Sequence, residues 1–124
     1  MTVVSPAPAR KLPGMRVILR YFEGDPNWET AEDRIRETIA GGSYGAVEIE
    51  LERVSSSEQA AELRFRGSPT ILVDGVDPFH AEETGYGLTC RVYRTENGID
   101  GSPSMLQLAE AFAAAADPGP LTSG

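Results

Sequence analysis

The period of apolar positions changes several times along the chain, and each change marks an element. Residues 16–22 (RVILRYF) are β-branched and aromatic and lie between Gly14 and Gly24, which predicts a central strand covered on both faces. Asp25-Pro26 supplies a helix start, with the carboxylate as N-cap and proline as first helical residue. Trp28, Ala31, Ile35 and Ile39 then recur at helical spacing among charged residues until Gly41-Gly42 ends the run. Val47, Ile49 and Leu51 alternate with Glu48, Glu50 and Glu52, the pattern of an edge strand with one wet face. Ser55 to Glu58 has capping-box spacing and opens a short helix through about Phe65, broken by Gly67-Ser68-Pro69. Thr70 to Val73 is a short apolar strand closed by Asp74-Gly75. After the polar connection 74–89, Cys90 to Arg94 predicts a last strand and Glu96-Asn97-Gly98 a turn. Ser102-Pro103 then starts a final helix, with Met105, Leu108, Ala109, Phe112 and Ala116 as its buried stripe.

The element order βαβαββα predicts an α/β sandwich: a four-stranded mixed sheet with helices on both faces. Helical crossovers make the first three strands parallel, and a hairpin makes the fourth antiparallel. Proline and small residues in 1–14 predict a disordered arm, 15–116 the folded domain, and 117–124 a flexible tail.

The 124 residues suit one domain. Eleven Lys/Arg against nineteen Asp/Glu give a net charge of −8, which argues against a nucleic-acid partner, since phosphate neutralisation needs clustered cations. No apolar run approaches the roughly 18 residues of a membrane span, so no membrane partner is expected. The first twelve residues lack a secretory apolar stretch, which predicts a cytoplasmic protein. With one cysteine, Cys90, and one histidine, His80, neither an internal disulfide nor a cysteine or histidine metal site is available, and no cofactor is expected.

Two segments carry a family resemblance. The strand RVILRYFEG runs straight into Asp25-Pro26-Asn27-Trp28 at a helix start, and Gly67-Ser68-Pro69-Thr70-Ile71-Leu72-Val73-Asp74-Gly75 follows later. Over residues 15–116 the chain resembles the thioredoxin-fold superfamily. Within it, the chain is most similar to short bacterial, especially actinobacterial, thioredoxin family proteins, which carry Gly-Cys-Pro-x-Trp at the first segment and a Ser/Thr-Cys-Arg-Val-Tyr strand later. The resemblance implies that Pro69 is cis and that Ser68, Pro69 and Thr70 edge a groove. There the backbone of Ser68 would pair with an extended peptide segment or a low-molecular-weight thiol such as glutathione.

The departure from that pattern concerns the chemistry itself. Asp25 and Trp28 stand where the resemblance places the two cysteines, and a carboxylate cannot attack a disulfide. Dithiol oxidoreductase activity is therefore expected to be absent. What remains is a redox-degenerate binding or accessory module using the groove, with the 74–89 connection as a lid. The alternative is a single-cysteine exchange or thiol-transfer protein working through Cys90, whose thiol Arg91 and Arg94 would activate if close in space. An inert Cys90 packed as a small hydrophobe is the plainer expectation. Asp25 reads first as a cap and second as a residual acid, and Trp28 equally as core or as binding surface. Asp74, Asp77, His80, Glu82 and Glu83 read as a solvated loop, with a hard-cation site as the alternative. Gly85-Tyr86-Gly87 reads as a hinge.

Overall fold

The computed structural model describes residues 14–79 and 86–116. Its elements in chain order are β1 (Met15–Tyr21), α1 (Trp28–Ala40), β2 (Val47–Arg53), α2 (Ser57–Leu63), β3 (Thr70–Val73), β4 (Tyr93–Thr95), β5 (Gly98–Asp100) and α3 (Met105–Ala116). The arm expected at 1–14, all but Gly14, and the tail expected at 117–124 lie outside the described residues.

As the apolar run predicted, β1 is central, in a three-stranded sheet of order β2-β1-β3. Met15, Val17 and Leu19 point to one face and join Ala31 and Ile35 of α1, Ile71 and Val73 of β3, and Leu108 and Phe112 of α3 in the main core. On the opposite face Arg20 donates to the Leu63 carbonyl at the end of α2 (3.3 Å). Nearby, Val54, Ala60 and Phe65 form a smaller cluster with Phe22, Leu63 and Leu88 against it. Thus α1 and α3 share the face of Met15, Val17 and Leu19, and the end of α2 touches the other face through Arg20. The glutamates of β2 are not simply wet: Arg16 pairs with Glu50 at 2.5 Å and Arg20 with Glu52 at 2.7 Å across the parallel β1–β2 ladder.

Two expectations about the sheet are corrected. β3 runs antiparallel to β1, not parallel. Thr70, the first residue of β3, and Glu52, near the end of β2, both lie opposite Arg20, so the 54–69 connection returns to the end of the sheet that it left. The sheet also has three strands rather than four. Of the segment expected as the last strand, Cys90 makes an isolated bridge to Ser68, while Tyr93 and Arg94 belong to β4, which pairs with β5 in a separate two-stranded hairpin. Val76 takes the edge of Val73 through two backbone bonds, and the 89–91 segment takes the edge at Ser68, so β3 carries no second ladder beside the one with β1.

Helix starts also shift along the chain. Asn27, not Asp25, holds the cap position of α1. Ser56 caps α2 by accepting from the Gln59 N–H. Two residues beyond Ser102, Ser104 and Gln107 cap α3 reciprocally: Gln107 N–H donates to the Ser104 hydroxyl (3.1 Å) and Ser104 N–H to the Gln107 amide (3.0 Å). Met105 and Ala116, expected in the buried stripe, are exposed, leaving Leu108 and Phe112 to anchor the helix. No helix among the described residues is long and apolar enough to cross a membrane.

Candidate functional site

Beyond β1 the chain tightens, Asp25 N–H donating to the Phe22 carbonyl at 3.1 Å, and this turn carries Asp25 inward until only 2% of it is exposed. A buried carboxylate needs donors, and two are supplied. The Asn27 N–H donates to one oxygen (2.9 Å), a local Asx turn, and the Ser68 hydroxyl donates to the other (2.6 Å) from 43 residues away. The cap expected of Asp25 is thereby corrected, because its oxygens face Asn27 and Ser68 rather than the first turn of α1. Pro26 is exposed and Asn27 half-buried. Trp28 stacks on Tyr21, ring centroids 4.1 Å apart, and packs against the main core, so its ring serves packing.

Ser68 is fully buried, and the Ser68–Pro69 peptide is cis. Every polar group of Ser68 has a partner inside the chain. Its N–H donates to the Thr89 carbonyl (2.7 Å), its carbonyl accepts from the Arg91 N–H (2.8 Å), and its hydroxyl serves Asp25. Pro69 offers its carbonyl to the Tyr93 hydroxyl, and the Thr70 hydroxyl donates back to Gly67 (2.6 Å). The expected groove residues are therefore together, but their backbone faces the chain's own 89–91 segment.

That bridge brings the exposed Cys90 beside Asp25. Partial burial pushes the thiol pKa up, and the charge of Asp25 and a hydrogen bond to it push in the same direction. Arg91 does not activate it. Its side chain turns inward to pair with Asp77 (2.8 Å), donates to the Phe79 carbonyl and to the Thr70 hydroxyl (3.4 Å), and lies over the Tyr93 ring. With the Asp25 carboxylate beside it and the Arg91 side chain turned away to Asp77, Cys90 is held as a thiol, the poor nucleophile.

The connection after β3 offers no cation site in its described part. Asp77 is committed to Arg91, and Asp74 accepts from the Arg16 N–H (2.9 Å). His80, Glu82 and Glu83 lie outside the described residues, and among those described no group of three metal-ligating side chains comes together. The sequence reading missed Thr89 and Tyr93 as partners of Ser68 and Pro69, and Arg91 as a buried anchor. Their signal was present in TCRVY, where buried Arg91 and Tyr93 alternate with exposed Cys90 and Val92, a period of two that an Arg–Asp pair masks. Comparison of the chain with family models, with curated proteins and with solved structures finds no match.

Proposed function

We propose that this protein is a thioredoxin-like module without dithiol chemistry, working by binding at the groove that Asp25, Ser68, Pro69 and Thr70 form beside the start of α1. The observation that carries this reading is the Asp25–Ser68–Cys90 contact. At the position where exchange chemistry would need a thiolate there is a buried carboxylate, committed to two donors, that raises the pKa of the only thiol in reach. The arrangement holds groups in place and activates none. A cytoplasmic location, where a lone exposed thiol stays reduced, belongs to the same proposal.

In an insulin-disulfide reduction assay with dithiothreitol, the protein gives no acceleration over buffer. Turnover that persists in Cys90→Ser would overturn the reading altogether. Turnover lost in Cys90→Ser would favour the second reading, single-cysteine thiol transfer, which the exposure of Cys90 supports and its raised pKa opposes.

A further inference from the structure

The outer edge of β2 is open. β2 is a terminal strand of the sheet, and β1 takes only one side of it. Met15 N–H donates to the Ala46 carbonyl (2.9 Å) and Val54 N–H to the Tyr21 carbonyl (2.8 Å), so residues 46 and 54 turn their backbone groups toward β1. Backbone direction alternates along a strand, so Glu48, Glu50 and Glu52 also bond inward. The N–H and C=O groups of Val47, Ile49 and Leu51 therefore point outward, and among the described residues they have no partner. Only the far end is closed, where the Gln59 amide donates to the Arg53 carbonyl (3.5 Å). With no proline, glycine or bulge along its seven residues, β2 presents a regular template for an added strand.

The side chains along this edge say what kind of strand fits it. On one face Val47 and Ile49 are half-buried against the main core and Leu51 is 39% exposed, an apolar row left uncovered at its side. On the other face stand Glu48, Glu50 and Glu52. Arg16 and Arg20 pair with the last two, and Glu48 has no ion pair among the described residues. The end of α2 touches that same face, and α2 adds Glu58 and Glu62 and no cation. A second copy of the chain is a poor occupant. Antiparallel self-pairing about Ile49 sets Glu48 of one copy opposite Glu50 of the other, and like charges directly opposite are destabilising. The same row attracts a strand of opposite sign.

We propose that the β2 edge is a docking site for an extended segment of another protein in which lysine or arginine alternates with valine, isoleucine or leucine. Its backbone pairs with Val47, Ile49 and Leu51, its cations face Glu48 and Glu50, and its apolar residues extend the Val47–Leu51 row. The net charge of −8 draws such a segment in from a distance. The site lies on the side of β1 away from β3 and the Ser68–Pro69 peptide, so it does not depend on the binding reading above.

The probe is a fluorescein-labelled, acetylated peptide that alternates lysine and valine, titrated by anisotropy against the full chain while hydrogen exchange is followed at single amides. One control peptide alternates glutamate and valine, and the other carries its lysines together, followed by its valines. The alternating cationic peptide is expected to bind and to slow exchange at Ile49 and Leu51 while the Ser68 amide stays unchanged. Glu48→Lys should weaken it about tenfold. Leu51→Pro removes an outward N–H where an edge strand accepts proline, and should abolish binding. Protection of the Glu50 amide, which bonds inward, reports that β2 stays folded in both variants. Equal binding of either control peptide overturns the proposal, since charge sign or strand alternation then plays no part. Protection of Ser68 in place of Ile49 and Leu51 overturns it by putting the peptide in the other groove. Slow exchange at Ile49 and Leu51 before any peptide is added means that the edge is already covered, by residues 1–13 or by a second copy, and overturns it too. Unchanged affinity in both variants with Glu50 protected, or no binding of the alternating cationic peptide, overturns it and leaves the reading at Ser68 standing.

Discussion

At the scale of single residues, the lone cysteine is shaped by its neighbour. An acid whose pKa is raised stays protonated to higher pH, so Cys90 should react with iodoacetamide along a curve displaced above the ordinary thiol value of 9.0. Asp25→Asn removes a negative charge from its side and should move that curve down, though not below the ordinary value, since burial is the larger cause. Stability follows the same direction. Below pH 9.0 the thiol is protonated in both folded and unfolded chains, and its contribution is complete. As pH rises toward the folded pKa, the unfolded chain ionises first and stability falls, a slope that Cys90→Ser should flatten in urea unfolding at successive pH values. A native curve at or below that of the urea-unfolded chain would contradict this account. The lone cysteine could be read from the chain, but its pKa could not. Asp25 is 65 positions away in sequence, and only the Ser68–Cys90 bridge brings the two together.

Among the elements, local chemistry was the legible part. The Asp74-Gly75 pair closes β3 onto Val76 with both central residues at positive φ, 52° and 86°, the geometry of a type I′ turn. A Cβ at Gly75 would touch nothing within 4 Å, so Gly75→Ala isolates the conformational cost alone. It should destabilise the protein by about 1–2 kcal/mol in urea unfolding, and a loss below about 0.3 kcal/mol would show the turn free to relax. Caps were legible only to within a residue or two. Runs such as Ser55-Ser56-Ser57 and Ser102-Pro103-Ser104 offer several capping hydroxyls, and Gln59 and Gln107 decide among them by reaching back. The direction of β3 was not legible, because the 16 residues that connect it to β2 are long enough to reach either end of the sheet. Nor was the loss of the fourth strand, which follows from long-range competition for the edges of Ser68 and Val73.

For the molecule as a whole, one core carries most of the cohesion. Phe112 is fully buried, packs edge-on to Tyr44 at 5.7 Å and ties α3 to the sheet. Phe112→Ala should cost about 3–5 kcal/mol, a large part of the 5–15 kcal/mol typical of a domain. A shift in the urea midpoint without change of slope is the expected result, and a loss under about 1 kcal/mol would mean that α3 is dispensable to the core. That the chain is α/β, with β1 at its centre, could be read from apolar periods, because burial is what sets them. How the β4–β5 hairpin attaches could not be read that way. Polar bonds fasten it: Arg34 of α1 reaches Asp100 and the carbonyls of Ser102 and Pro103, while Gln107 of α3 reaches the Arg94 carbonyl and Ser104, just before α3, reaches Glu96.

That fastening makes the hairpin tip a natural place for grafting. Its base is bolted to two helices, its tip residues Glu96 and Asn97 face water, and Thr95 and Gly98 are paired across it. Chain inserted between Glu96 and Asn97 would leave and re-enter at neighbouring points without drawing on the core. A fluorescent reporter or an immobilisation tag spliced there would therefore sit on a rigid stalk, giving this small acidic protein an internal attachment point.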